Sequence, residues 1–168
     1  MKTACSVATL IAAVCATTAS IAADLPQPTG AVILTVTGNI TNSNHGDEAK
    51  FDRAMLEALG TTKITTKTPW YEQAVTFEGV SFKALMEYVG GEGTNVNAIA
   101  LNDYGTSIPM SDIQQTGMIL AMKLNGQDME VRDKGPIFVI YPYDSDPEYQ
   151  TQTYYARSAW QVTKLIVE

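Results

Sequence analysis

Arg132-Asp133-Lys134-Gly135-Pro136-Ile137-Phe138-Val139-Ile140-Tyr141-Pro142 and, shortly after it, Tyr154-Tyr155-Ala156-Arg157-Ser158-Ala159-Trp160-Gln161 carry two of the chain's three arginines, an unbroken apolar run and a concentration of aromatic rings. The run 137–141 enters through Gly135-Pro136 and is apolar at every position, which predicts a strand inside a sheet with both faces covered. Two guanidiniums, an ammonium and several rings on an otherwise acidic chain are the groups that a flat bicyclic heterocycle or an anionic tail requires. This stretch is therefore the expected ligand site.

Working outward, Asn125-Gly126 is a two-residue hairpin signal between strands expected at 118–124 and 129–131. Further strands are expected at 32–37, 61–68, 75–77, 95–101 and 107–109, from alternation and β-branched content. Two helices stand out. The first, over 47–59, places Phe51, Met55 and Leu59 at fourfold spacing, with Asp47 or Asn44 as its cap and Gly60 as its stop. The second, over 81–89, carries Phe82, Leu85, Met86 and Val89 on one face, with Ser81 at the N-cap and Gly90-Gly91 beyond its end. A final strand is expected to present Trp160, Val162, Lys164 and Ile166 on one face. Many short strands with two main helices predict an α+β domain built on a mixed sheet or partial barrel. The Pro-rich segment 24–30 reads as a loose tether.

Residues 1–23 have the three parts of a secretory signal peptide: Lys2, an apolar run from Ala8 to Ala16, and small residues up to Ala22 and Ala23. Cleavage there leaves 24–168 as a single domain in an oxidising compartment, expected to be the periplasm. No later run reaches the roughly 20 apolar residues of a membrane helix, so the mature chain is expected not to be membrane-embedded. The formal charge of −7, which becomes −8 once Lys2 is removed, argues against nucleic acid as a partner. Both cysteines, Cys5 and Cys15, fall in the leader. The fold then rests on packing without disulfides.

Conventional metal chemistry finds few ligands. His45, the only imidazole, sits in a polar loop, and Asp144, Asp146 and Glu148 lack the glycine and distal glutamate of an EF-hand. Other candidates carry two readings each. Trp160 is either core or a stacking surface. Arg132 and Lys134 either form an exposed ion-pair cluster with Asp133 and Glu130 or donate to an anion or a ring carbonyl. Asp103, beside Tyr104, either forms a turn or accepts paired hydrogen bonds from an aminopyrimidine edge.

Together with Val75-Thr76-Phe77-Glu78-Gly79-Val80, Leu101-Asn102-Asp103-Tyr104 and Ile108-Pro109, the opening stretch resembles the molybdopterin-binding domain of sulfite-oxidase-type oxidoreductases. Arg157-Ser158-Ala159-Trp160-Gln161 is similar to the family's Arg-Ser-x-Lys-Trp stretch at the pterin pocket, with Trp160 in place of the lysine. The resemblance implies a sulfite-oxidase-like fold with a pterin pocket formed by Trp160, Arg157, Tyr155, Arg132, Lys134, Asp103, Tyr104 and Trp70. It also implies a departure. The family's enzymes hold molybdenum through a cysteine in the first half of the domain, where this chain has Thr65, Thr66 and Thr68 ahead of Trp70. The expectation is thus a periplasmic pterin-binding protein that takes a tetrahydropterin in preference to molybdopterin. Its implied partner is the periplasmic domain of a membrane-bound cyclic di-GMP signalling protein. The alternatives are a molybdopterin-dependent oxidoreductase subunit that needs no cysteine ligand, and an interaction domain whose rings are only core.

Overall fold

The computed structural model describes residues 24–168, so the leader and its two cysteines lie outside the described residues. Among the described residues, two five-stranded sheets and four α-helices make up the fold, and the strands close into no barrel. The first sheet contains β1 (Val32–Gly38), β2 (Ala49–Asp52), β5 (Asn95–Ala100), β6 (Gly105–Pro109) and β10 (Val162–Val167), in the order β2-β1-β10-β5-β6. Only β1 and β10 pair in parallel; their neighbours are antiparallel. The second sheet runs β3 (Thr62–Thr68), β4 (Tyr71–Ser81), β7 (Ile119–Leu124) and β8 (Gln127–Asp128), with β9 (Phe138–Ile140) also on β7. As the sequence requires of an all-apolar run, β9 is buried at every position.

One hydrophobic cluster joins the two sheets through Leu34, Val36, Phe77, Leu120, Ile140 and Leu165. The helix α2 (Phe82–Val89) adds Phe82, Leu85, Met86 and Val89. Its ends follow the sequence signals: the Ser81 hydroxyl accepts from the Ala84 N–H, and Gly90 adopts the left-handed conformation that stops the helix.

Several elements differ from expectation. The first helix is short, α1 (Arg53–Ala58), because Ala49 and Phe51 are drawn into a strand on β1. Its cap is Asp52, whose carboxylate accepts from the Met55 N–H at 2.9 Å. Two further short helices appear, α3 (Met110–Gln115) and α4 (Gln152–Arg157). After Asp128 the chain leaves the ladder: residues 131–133 form a 3-10 turn that ends at Lys134 with φ 78°. The segment 24–30 is clamped, since Leu25 N–H donates to the Ser43 carbonyl at 2.8 Å and the N–H groups of Thr29 and Gly30 each donate to Asp52 at 2.8 Å. Trp160 precedes β10 instead of belonging to it.

Candidate functional site

Four connecting segments meet at one end of the two sheets. Pro69 and Trp70 form the tip of the β3–β4 hairpin, where Thr68 pairs with Tyr71 and the Trp70 N–H donates to the Thr68 hydroxyl at 3.3 Å. The β5–β6 turn brings Asn102 and Tyr104. Its shape is fixed by Ala100 N–H to the Tyr104 carbonyl at 2.9 Å, by Asp103 N–H to the Ala100 carbonyl at 3.0 Å, and by a positive φ of 62° at Asp103. Helix α4 supplies Gln152, Tyr155 and Ala156, and is tied to β6 by the Thr106 hydroxyl donating to the Ala156 carbonyl at 3.0 Å. The link from α4 to β10 supplies Ser158, Ala159 and Trp160. It is anchored by Val139 N–H to the Ala159 carbonyl at 2.9 Å and by Gln161 N–H to the Lys134 carbonyl at 3.0 Å.

Between these segments lies a pocket of about 510 Å³, lined by Trp70, Asn102, Tyr104, Gln152, Tyr155 and Trp160 together with Pro69, Ser158 and small residues. Trp70 is the hub of its aromatic wall. Its ring centroid lies 5.1 Å from Phe138, 6.0 Å from Tyr155 and 6.1 Å from Trp160, all edge-on. Trp160 also meets Phe138 edge-on at 6.1 Å yet remains 43% exposed. Trp160 thus touches the core through Phe138 and borders the cavity at the same time. Edge-on packing of rings leaves π-faces free for a flat ligand.

Trp70, Tyr104, Tyr155 and Trp160 come together in this lining; the charged candidates do not. Arg157 turns inward and donates to the buried Asp112 at 2.7 Å, because α3 places a carboxylate beneath α4. The same carboxylate accepts from the Tyr141 hydroxyl at 2.9 Å. Burial, followed by the Asp112 charge, drives the Tyr141 phenol far above its ordinary range. Tyr143 is raised too, chiefly by burial, while its hydroxyl bond to Ser158 at 2.5 Å opposes the shift. Arg132 is solvent-exposed and pairs with Glu130 at 2.9 Å and Asp133 at 3.5 Å. Lys134 lies over the rings of Tyr71 and Trp160 at 5.6 and 5.7 Å, outside the lining. Asp103 occupies the left-handed position of the turn and does not face the cavity, whereas its neighbour Asn102 does. Asn102 and Gln152 were missed at the sequence level. The only local signal was the Asn-Asp turn dipeptide.

Residues 22–144 match the family described as oxidoreductase molybdopterin binding domain. The chain belongs to this family. No curated protein matches it in sequence. Among solved structures, sulfane dehydrogenase SoxCD from Paracoccus pantotrophus is similar in fold, with a TM-score of 0.56 at 15% identity over 80% of this chain. This chain spans 37% of the SoxCD chain. The family match covers Trp70, Asn102 and Tyr104 but stops short of Tyr155 and Trp160.

The donor set of the lining is neutral. The lining holds no lysine, arginine or carboxylate to meet a phosphate or a metal. Among the described residues there is no cysteine, and no group of three or more His, Cys, Asp and Glu side chains could hold a metal ion. The threonines in the zone where the resemblance puts the sulfur are engaged structurally. Thr66 is buried and accepts from the Asp144 N–H at 3.0 Å, while the Thr65 and Thr76 hydroxyls share a bond at 2.8 Å. The residues present offer ring faces to a flat heterocycle. They do not fit the metal and phosphate ends of molybdopterin. No helix among the described residues is long and apolar enough to cross a membrane.

Proposed function

We propose that this member of the molybdopterin-binding domain family is a pterin-binding module whose function is binding without turnover. A reduced, unphosphorylated tetrahydropterin is the favoured ligand, and its ring stacks on Trp160 or Tyr155, with Trp70 standing edge-on to both. The observation that carries the reading is an aromatic pocket of about 510 Å³ with no charged side chain in its lining. An anionic tail buried there would lack a partner, and an unpaired charge is costly to desolvate. The leader-like segment and the family resemblance support a periplasmic location. Transfer of the ligand signal to a membrane-bound cyclic di-GMP enzyme is proposed on the family resemblance alone.

Both tryptophans of the chain border the pocket, so their fluorescence reports occupancy directly. Tetrahydropterin is expected to quench it saturably, and calorimetry of residues 24–168 should give one site. A stacked ring is worth about 1–3 kcal/mol, so Trp160→Ala should weaken binding about tenfold or more. Because Trp160 is 43% exposed, the variant should keep the fold. If pterins fail to bind at millimolar concentration, the reading falls.

The second reading, an oxidoreductase subunit that retains molybdopterin without a cysteine ligand, is favoured by the family match itself. It requires near-stoichiometric molybdenum in protein purified from a cofactor-competent host. The binding reading requires almost none.

A further inference from the structure

We propose that Asn102 fixes which edge of the ligand enters the pocket, by presenting a preset hydrogen-bond donor that selects a neutral heterocycle carrying a carbonyl, or lactam, edge. This rests on the pterin reading above and makes it specific to one edge of the ring.

Asn102 lines the cavity at the β5–β6 turn. Its Oδ1 accepts the Tyr104 backbone N–H at 3.2 Å. A backbone N–H can be answered only by an acceptor, so the orientation of the carboxamide is settled by chemistry: oxygen toward Tyr104, NH2 away from it. That NH2 makes no hydrogen bond within the protein among the described residues. The turn itself is held by Leu101 N–H to the Gln161 carbonyl at 3.0 Å, in addition to the two bonds between Ala100 and residues 103 and 104. The donor is therefore positioned before any ligand arrives, which removes an ordering cost from binding. Gln152, the other carboxamide in the lining, has no such anchor and can turn either end to the ligand. Asn102 is the fixed reader and Gln152 the adaptable one.

A pteridine with a 4-oxo group offers an acceptor to Asn102. A 2,4-diaminopteridine offers a donor at the same place and would displace water from the exposed Asn102 NH2 without replacing its hydrogen bond. The probes are these two compounds, titrated against tryptophan fluorescence at neutral pH. The unaltered protein is expected to prefer the oxo compound by about tenfold, the worth of one hydrogen bond and its unmet counterpart. Asn102→Asp keeps an acceptor for the Tyr104 N–H, so the turn survives, and it should reverse the preference toward the diamino compound. Asn102→Ala should bring the two affinities together. Equal affinities in the unaltered protein, or an unchanged ratio in Asn102→Asp, would overturn the inference while leaving the pterin reading standing. Absence of binding by either compound would remove both.

Discussion

At the scale of single residues, Asp112 links the polar interior to the pocket. It accepts from Arg157 at 2.7 Å and from Tyr141 at 2.9 Å, and Arg157 closes α4, the helix that carries Tyr155 and Gln152 into the lining. Asp112→Asn keeps the shape and an acceptor for Tyr141 but leaves the half-buried guanidinium without its counter-charge. Hydrogen bonds to charged groups are worth about 1.5–3 kcal/mol, so a loss of about 2 kcal/mol is expected. For a domain of this size that lowers the melting temperature by about 4–8 °C. An unchanged melting temperature by circular dichroism would show that the pair does not brace the helix. Tyr141 and Tyr143 make a second test. Both phenols are raised chiefly by burial, so the folded state holds their protons beyond the value near pH 10 at which the unfolded chain releases them. Above that pH the unfolded state loses protons that the native state keeps, so stability falls as pH rises. Ultraviolet titration should therefore show two of the eight tyrosines ionising only with unfolding. Gradual ionisation of all eight in the folded protein would contradict this.

At the scale of elements, what was legible in the chain depended on whether the signal was local. The helix α2 was legible because its apolar spacing, its serine cap and its left-handed glycine all lie within ten or so residues. The stretch 49–58 was misread as part of one long helix because Phe51 and Met55 keep helical spacing while pairing with β1 claims the first of them. In β10 a register shift between Val162 and Lys164 breaks simple alternation, so Val162 is buried together with Leu165 and Val167 while Lys164 and Ile166 are half-buried. Helix α4 has no fully buried residue and thus no apolar stripe to announce it. The rings of the pocket were legible because aromatic residues are conspicuous in any segment. Asn102 and Gln152 were not, because they become neighbours only when the β5–β6 turn meets α4. Gly79 exposes the tightest sheet contact. A Cβ there would stand 1.9 Å from the Leu120 carbonyl oxygen and 2.6 Å from the Ala121 Cα, on the register that joins β4 to β7. Backbone cannot yield as a flexible side chain does, so Gly79→Ala is expected to cost about 3 kcal/mol, the upper end of overpacking. Chemical denaturation reads this directly, and a cost under about 1 kcal/mol would mean that the two strands are free to separate.

At the scale of the whole molecule, the N-terminal segment belongs to the fold because one carboxylate gathers it in. Asp52 is 3% exposed, caps α1 through the Met55 N–H, and accepts the N–H groups of Thr29 and Gly30 on its other oxygen. The hydrogen bond from Met55, then that from Gly30, holds this carboxyl below the usual aspartate value, against the opposing pull of burial. The sign follows from the folded pKa being the lower one. The stabilisation is complete above the unfolded value of about 3.9 and drains away as pH falls through the lower folded value, because the unfolded chain takes up its proton first. Asp52→Asn cannot titrate, and its NH2 group would face backbone donors that need an acceptor. The variant is therefore expected to melt at a lower temperature at neutral pH and to lose less as the solution is acidified. Melting curves of the two proteins should converge below about pH 4. If they instead stay parallel down through that range, the carboxylate does not clamp the N-terminal segment to α1, and the order of residues 24–30 must come from the Leu25 and Asn44 contacts alone.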